Sequence, residues 1–201
     1  YWYPNFLEEM FKNIRRFPEL KVFSAAIEVE TSKKIIPSTY SIVKTADCEI
    51  VNYFEASSKE TVICTSCAVF HKSVFEKTGN FDIQLKSGED TDMWIRIGLI
   101  YPILFSWKIL ARYVYDPKSL TKNHTTTINS FDFSKYTSLE KTNPSLKKFL
   151  DLNRFSLAVK KKIIGEKKHF LLFYKAINLE NLSLKKRILL RLPGFALHFL
   201  L

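Results

Sequence analysis

Cysteine and glycine are scarce in this sequence, and long apolar runs are missing. Three cysteines in 201 residues argue against a secreted fold held together by disulfides and favour a reducing compartment. Only five glycines, beside 46% hydrophobic residues, exclude a low-complexity or collagen-like chain. The apolar runs fall short of the roughly 18 residues that a membrane-spanning helix needs, and charges among the first 17 residues argue against a signal peptide. The composition predicts a folded domain with its own core.

The cysteines have a spacing that superficially suggests zinc. Cys48, Cys64, Cys67 and His71 would offer four ligands. Residues 61–70, however, are rich in β-branched side chains and predict a β-strand. In a strand, positions 64 and 67 point to opposite faces, so these two cysteines are not expected to hold one ion. A dithiol redox site is not expected either, because no helix is predicted to begin beside them.

Positive charge is unevenly distributed along the chain. The net charge is +11, and residues 151–201 contain eleven Lys and Arg against three Asp and Glu. Basic clusters at 160–162, 167–168 and 185–187 alternate there with apolar runs such as 170–174. This alternation fits a helix on an anionic membrane surface, and it also fits the solvated outer face of packed helices. Nucleic acid is the least favoured partner.

Residues 88–96, with the sequence GEDTDMWIR, combine three carboxylates, an indole and a guanidinium within two predicted helical turns. Free N–H groups and the helix dipole favour negative charge at a helix N-terminus, so the cluster suggests a general base. A structural alternative explains the same residues. Ser87 would cap the helix while Asp90 reaches back to the cap N–H, as in a capping box. Asp92 would then pair with Arg96 one turn later.

Linked motifs surround this cluster. Residues 65–70 read TSCAVF, residues 74–82 read VFEKTGNFD, and residues 113–121 read YVYDPKSLT. The succession resembles the second half of the family 2 glycosyltransferases, in which T-S-x-x-V-F and G-G-F-D precede G-E-D-x-D-L-W-x-R and Y-R-x-H-P-x-S-L-T. The resemblance implies an α/β fold, with a partial GT-A (Rossmann-like) mixed sheet core followed by a C-terminal helical appendage.

The first residues carry the same resemblance. Residues 2–10 read WYPNFLEEM, and in the family a W-x-P-N-F-L-E-x-M run commonly follows an Asp-rich metal-binding segment. The first sixty residues contain neither a Gly-rich turn nor an Asp-x-Asp triplet. Residues 90–92 spell Asp-x-Asp, but their place in the order fits the later motif. The resemblance therefore implies that the nucleotide-sugar-binding half lies upstream of Tyr1, so that this chain alone is expected to be incomplete as an enzyme.

The resemblance assigns chemical roles to three acidic residues. Asp90 falls on the catalytic base of the family, and Glu89 beside it would orient the base or the acceptor. Asp116 stands where relatives often carry a His that helps to hold the metal or the diphosphate. An Asp can bind Mg²⁺ or Mn²⁺ through oxygen, so Asp116 is the candidate metal ligand in this chain, with the main ligands expected from the upstream Asp-x-Asp.

Five further residues are candidates for substrate binding: Trp94, Asp92, Arg96, Thr65 and Ser66. Trp94 is either a stacking ring for an acceptor sugar or an anchor in the core. Asp92 and Arg96 are interpreted mainly as a supporting pair. Thr65 and Ser66 would shape the acceptor side.

The function implied by the resemblance is inverting sugar transfer. An acceptor hydroxyl, deprotonated by a carboxylate, attacks the C1 atom of a nucleotide-sugar donor while a divalent cation stabilises the departing diphosphate. The acceptor would be a saccharide or a lipid-linked saccharide in cell-surface polysaccharide or glycolipid biosynthesis. The protein would work in the cytoplasm, at the inner face of the plasma membrane, with residues 151–201 near the anionic surface. The rival interpretation is a non-catalytic basic module or inactive remnant that binds membrane or nucleic acid.

Hydrophobic periodicity predicts alternating helices and strands before residue 130 and helices with Lys-rich faces after it. We place the domain boundary there, between residues 1–129 and residues 130–201. The predicted helices are 5–17, 72–78 and 89–100, and the predicted strands are 21–29, 40–44, 49–54, 61–70 and 103–115. The first helix should present one apolar face made of Phe6, Leu7, Met10, Phe11, Ile14 and Phe17.

Overall fold

A computed structural model of this chain describes residues 1–85, 87–116 and 133–200. The chain divides into two compact units, Tyr1–Phe131 and Asp132–Leu201. This division lies close to the boundary expected from the sequence. The PKSLT part of the last motif, residues 117–121, falls outside the described residues.

A mixed five-stranded sheet forms the centre of unit 1. Its two central strands, β1 (Val22–Glu30) and β5 (Ile103–Val114), are parallel. Strands β2 (Ile35–Pro37) and β4 (Ala68–Phe70) pair antiparallel with the two ends of β1. Strand β3 (Cys48–Val51) pairs antiparallel with the beginning of β5. The unit is therefore a mixed α/β structure with parallel and antiparallel pairing in one sheet.

Strands β1 and β5 occupy the centre because their first halves are buried on both faces. All side chains at residues 22–26 and 103–106 are buried, which is the pattern expected of strands covered on both sides. Phe23 and Leu104 from these two strands join one apolar cluster. Full burial of each such side chain stabilises a fold by about 1.5–3 kcal/mol, so this segment is the core of the unit.

Helix α1 (Phe6–Arg16) covers the sheet with only part of its predicted apolar face. Phe6 and Met10 are buried in the same cluster as the central strands. Leu7 and Phe11, in contrast, are 61% and 54% exposed. The prediction of a single six-residue face is therefore wrong. Consecutive residues lie about 100° apart around a helix, which turns positions 7 and 11 away from the side that meets the sheet.

The long strand predicted over residues 61–70 is wrong. Residues 65–67 form a 3₁₀ turn, and only the last three residues form β4. Val62 and Ile63 are fully buried without belonging to a strand. Their β-branched side chains signalled burial correctly, but a strand also needs a neighbouring strand to pair with. The Val62 carbonyl instead accepts a hydrogen bond from the Ser24 hydroxyl.

Two shorter strand predictions are also corrected. Residues 40–44 contain no strand, and β3 ends at Val51 instead of continuing to residue 54. Asn52 ends the extended segment because its side chain accepts hydrogen bonds from two backbone N–H groups as the N-cap of the short helix α2 (Tyr53–Ala56). Asn is among the residues that most favour this position.

Helices α3 (Ser73–Thr78) and α4 (Glu89–Ile100) agree with the predictions from periodicity. The chain leaves α3 through Gly79, which has a φ of 73°. It leaves α4 at Tyr101 and enters β5 almost at once. The C-terminal end of α4 is therefore held beside the beginning of the central strand β5.

Unit 2 is helical throughout its described residues, apart from connecting segments and 3₁₀ turns. Its helices are α5 (Pro144–Ile163), α6 (Lys167–Ala176), α7 (Leu184–Arg191) and α8 (Gly194–Leu200). All four contribute buried apolar side chains to one core, which consists of Phe155, Ala158, Val159, Phe173, Ile177, Leu182, Leu190 and Leu197. Among the described residues, no helix is both long enough and apolar enough to cross a membrane.

A buried ionic network joins the helices of unit 2 to their connections. Asp151 is fully buried, and its Oδ1 accepts a hydrogen bond from Lys147 Nζ at 2.6 Å. Its Oδ2 accepts from the Asn178 backbone N–H at 3.2 Å and from Asn181 Nδ2 at 2.8 Å. The neighbouring Arg154 donates to Glu140 at 2.6 Å. Buried charges require such partners because their desolvation is costly.

We predict that Gly98→Ala destabilises unit 1. A Cβ atom at this position of α4 would lie 2.7 Å from the Cβ of the buried Tyr53 in α2. Ala has a helix propensity about 1 kcal/mol better than Gly, but overpacking of this kind costs about 1–3 kcal/mol. Urea unfolding should therefore show a lower free energy of unfolding. In a Tyr53→Gly background, which removes the Cβ as well as the ring, the same substitution should lose this cost, and an equal cost in both backgrounds would contradict the steric explanation.

Candidate functional site

The acidic helix α4 starts at Gly88, which adopts a left-handed conformation with a φ of 83°. Glycine occupies this region without the steric penalty of other residues. The Gly88 carbonyl accepts from the Asp92 N–H at 2.9 Å, the first hydrogen bond of the helix. No side chain caps the helix. The predicted capping box between Ser87 and Asp90 is therefore wrong, because the chain turns into the helix one residue later than that motif requires.

Asp90 presents an exposed carboxylate in the first turn of α4. Its Oδ1 accepts from the N–H of Thr91 at 2.6 Å and from the Thr91 hydroxyl at 3.3 Å. Glu89 beside it is partly buried. Within residues 1–85, 87–116 and 133–200, no Lys or Arg forms an ion pair with either carboxylate. The helix N-terminus favours their negative charge, and Asp90 remains open to a ligand.

The 3₁₀ turn over residues 65–67 lies close to Asp90, although the two are separated in sequence. The pKa of Cys64, at the start of this turn, is lowered mainly by Cys67. The Asp90 carboxylate is one of the influences that oppose this shift. It also contributes to the raised pKa of Tyr53, which is mainly due to burial. Thr65 and Ser66 are exposed on the turn. The fold thus brings the T-S motif to the same part of unit 1 as the acidic motif.

The first motif of the chain is joined to this turn. Trp2 Nε1 donates a hydrogen bond to the Ser66 carbonyl at 2.6 Å. The Trp2 ring stacks on Phe6 at a centroid distance of 4.4 Å, and its backbone bridges to Ala111 of β5. Three motifs that are far apart in the sequence therefore surround one region.

Asp92 and Arg96 form the expected supporting pair. Arg96 Nε donates to Asp92 Oδ2 at 3.0 Å, and the Asp92 side chain is fully buried. The same guanidinium donates to the backbone carbonyls of Thr78 and of Asn80, the latter at 2.9 Å. The pair fixes the loop after α3 to helix α4. These contacts use the charge of Arg96 within the protein, so a direct role in substrate binding is not favoured for either residue.

The structure distinguishes between the two roles expected for Trp94, a stacking ring for a sugar and an anchor in the core. Its side chain is only 3% exposed. The ring stacks on Phe70 of β4 at 5.6 Å and meets the edge of Phe81 at 5.7 Å. The structure shows Trp94 as a core anchor, and no open ring face is left for a sugar to stack on.

Asp116 lies just past the end of β5 and is exposed. The described residues contain no group of three or more His, Cys, Asp or Glu side chains that could hold a metal ion. Mg²⁺ takes octahedral oxygen coordination, so one carboxylate is far from sufficient. The described part of the chain does not by itself fit a divalent cation, although Asp116 could supply one ligand to a site completed by other residues.

A charged network that the sequence does not reveal lies near the ends of β1 and β5. Arg112 donates to Glu28 at 2.5 Å and to Glu30 at 2.8 Å, and also to the hydroxyl of Tyr3 at 2.7 Å. The hydrogen bond from Tyr3, followed by the effect of Arg112, lowers the pKa of Glu28. Only the parallel register of the strands reveals this arrangement. The network ties the first residues of the chain to the sheet.

The orientation expected for the thiols of Cys64 and Cys67 is also corrected by the structure. The 3₁₀ turn places Cys64 and Cys67 on the same side of the chain, with the Cys67 N–H donating to the Cys64 carbonyl at 2.9 Å. Cys67 is the main influence on the lowered pKa of Cys64, so the two side chains lie near each other. The expectation that they point to opposite faces is therefore wrong. The Thr and Ser between them, residues common in turns, were the signal available in the sequence.

Comparisons of this chain with protein-family models, with curated proteins and with solved structures found no match. The resemblance to family 2 glycosyltransferases consequently rests on the sequence motifs alone.

We predict that Arg96→Met lowers the free energy of unfolding by roughly 3–5 kcal/mol, since it removes the guanidinium that pairs with the buried carboxylate of Asp92. Urea unfolding measures this change. Lys77→Met, which removes an exposed cation from α3, is the control and should change stability by less than about 0.5 kcal/mol. Unchanged stability of Arg96→Met would contradict a supporting role and would favour a role in ligand binding.

Proposed function

We propose that this chain is the acceptor-binding part of an inverting glycosyltransferase of the family 2 type, with a GT-A fold completed by residues outside the chain. It would transfer a sugar from a nucleotide-sugar donor to a saccharide or lipid-linked acceptor in surface polysaccharide or glycolipid assembly. The observation that carries the proposal is the exposed carboxylate of Asp90, which lies in the first turn of helix α4, near the turn of Thr65 and Ser66.

Asp90 is the proposed general base. It would accept the proton of the acceptor hydroxyl as the oxygen attacks C1 of the donor sugar from the face opposite the nucleotide. The new glycosidic bond forms while the bond to the diphosphate breaks, and the anomeric configuration inverts. A base in this role needs to come within about 2.6–3.2 Å of the hydroxyl. Among the three carboxylates in the first turn of α4, Asp90 is the exposed one.

Neighbouring groups support the same role. Glu89 can accept a hydrogen bond from a second acceptor hydroxyl, because its carboxylate is only partly buried. The exposed side chains of Thr65 and Ser66 carry hydroxyl groups that can donate to and accept from a sugar. Polar groups of this kind suit a saccharide, whose surface consists largely of hydroxyls.

We predict that Asp90→Asn reduces turnover by about 10²–10⁴-fold, the usual contribution of general acid–base catalysis. Asn keeps the shape of the side chain but cannot take up the proton. The assay is sugar transfer by the full-length protein, with urea unfolding to show that the fold is intact. Glu76→Gln, which neutralises an exposed carboxylate of α3, is the control and should leave turnover unchanged. Normal turnover of Asp90→Asn would eliminate it as the base.

We also propose that unit 2 rests on an anionic membrane surface, which would place the transferase beside a lipid-linked acceptor at the inner face of the plasma membrane. Helices α7 and α8 expose large apolar side chains that the core of the unit does not use. Phe195 is 72% exposed and Phe199 is 86% exposed. Lys185 and Arg191 are exposed as well. Apolar side chains next to cations are the combination that binds anionic interfaces.

The basic residues of unit 2 divide between this surface and the interior. Lys162 donates to the Leu190 carbonyl at 2.6 Å, and its pKa is lowered by burial. The pKa of Lys186 is lowered for the same reason, and its Nζ lies 5.3 Å above the Phe155 ring. These two lysines pack within unit 2 and are not available to a membrane surface. The proposed contact with lipid therefore rests on the exposed residues Phe195, Phe199, Lys185 and Arg191.

We predict that Phe195→Ser combined with Phe199→Ser reduces binding to vesicles that contain phosphatidylserine by at least roughly 10-fold, given the burial energy of two aromatic side chains. Vesicle flotation measures the binding, and neutral vesicles should bind the unaltered chain weakly. Phe11→Ser, which removes an exposed aromatic side chain from α1 in unit 1, is the control. Undiminished flotation of the double variant would contradict the proposed surface.

A further inference from the structure

Cys64 and Cys67 stand on one tight turn with a geometry that permits a bond between them. The hydrogen bond from the Cys67 N–H to the Cys64 carbonyl is 2.9 Å long and closes a turn of four residues. The end residues of such a turn have Cα atoms less than about 7 Å apart, and a disulfide needs a Cα separation of about 4.4–6.8 Å. Both thiols are free in this structure.

The environment gives the two sulfur atoms different properties. The thiol of Cys67 donates a hydrogen bond to the Cys64 sulfur, and this is the main reason why the pKa of Cys64 lies well below its ordinary value. The N–H of Ser66 acts in the same direction, while burial and the Asp90 carboxylate oppose it. The same thiol–thiol contact, together with burial, raises the pKa of Cys67. The pKa of Cys64 is therefore lower than that of Cys67, so Cys64 is the sulfur that ionises first.

The two cysteines also differ in their exposure to solvent. Cys64 is partly exposed at the start of the turn, whereas Cys67 is only 1% exposed. The Cys67 sulfur lies 3.6 Å from the Ser24 hydroxyl in the interior. A small molecule from solvent can consequently reach the Cys64 sulfur more readily than the buried Cys67 sulfur. Reactive pairs that exchange disulfides combine an accessible thiolate with a resolving thiol in this manner.

We propose that Cys64 and Cys67 form a thiol–disulfide exchange site whose substrates are low-molecular-weight disulfides of the glutathione disulfide class. Cys64 is the attacking residue and Cys67 the resolving residue. This inference does not depend on the proposed sugar transfer.

The exchange is balanced in two steps. The Cys64 thiolate attacks one sulfur of the small disulfide, whose S–S bond breaks and releases one small thiolate. A mixed disulfide then remains on Cys64. The Cys67 thiol gives its proton to the released thiolate and attacks the Cys64 sulfur, which closes the intramolecular disulfide and releases a second small thiolate. The protein dithiol loses two electrons, and the small disulfide gains them.

A metal site is a weaker interpretation of the same pair. Among the described residues, these cysteines are not part of any group of three or more side chains that could hold an ion. Structural zinc usually takes four protein ligands, so the pair would need at least two ligands from elsewhere. Disulfide exchange requires only the two sulfur atoms that the turn brings together.

The test starts with the reduced 201-residue chain, incubated with glutathione disulfide at pH 7 and followed by alkylation and peptide mass mapping. We expect a disulfide between Cys64 and Cys67. Cys48 serves as an internal control, because this partly buried thiol donates to Asn13 at 3.4 Å and has no second cysteine beside it. Alkylation of Cys64 in the reduced chain should be roughly 10-fold faster than that of Cys48, as expected for a partly exposed thiol whose pKa is lowered by its neighbours.

Two variants separate the steps. Cys67→Ser should trap a stable glutathione adduct on Cys64, because the resolving thiol is gone. Cys64→Ser should leave Cys67 unmodified, because Cys67 is buried. Equal reactivity of Cys64 and Cys48 would overturn the proposal, and so would an unaltered chain that keeps the mixed disulfide without closing it. The measurements on the unaltered chain decide the question even if a variant folds poorly.

Discussion

The parallel pairing of β1 with β5 is the contact on which the rest of unit 1 depends. Its register runs from Phe23 opposite Leu104 to Glu30 opposite Val114. Each of the other strands pairs with one of these two, so loss of the central pairing would leave every edge without support. Because α4 enters β5 almost directly, the same pairing also determines where the acidic helix ends, and Asp90 lies at the other end of that helix. The candidate base is thus positioned by long-range strand pairing.

An irregularity in this pairing divides one edge of β5 between two parts of the chain. The register shifts between Ser106 and Ile109 and again between Ile109 and Ala111, from which regular pairing resumes. Before the shift, β3 pairs with β5, and beyond it the first residues of the chain take over through the bridge from Trp2 to Ala111. A bulge bends a strand and ends one pairing so that another can begin. Trp2 reaches the turn at Ser66 from this second position.

Local patterns predicted α3, α4 and the central strands, because periodicity and end signals are written in neighbouring residues. The sequence could not show which apolar segments find strand partners. Residues 61–70 have the composition of a strand, yet most of them form a buried segment and a turn, because only residues 68–70 pair with β1. Helical spacing predicted the pair of Asp92 and Arg96. The surroundings of Asp90 could be known only from the fold, since Cys64, which lies near it, comes from a distant part of the sequence.

Two aspartates of one helical turn have opposite surroundings, and this difference bears on chemistry. Asp92 is buried and bonded to Arg96, so it can hold the loop after α3 but cannot approach a substrate. Asp90 points to solvent and lies close enough to Cys64 for its charge to act on the thiol. A thiolate and a carboxylate near each other repel, and closing a disulfide at Cys64 would remove one of the two negative charges. The oxidation state of the turn would therefore change the electrostatic field at the proposed base, which couples the two sites through charge alone.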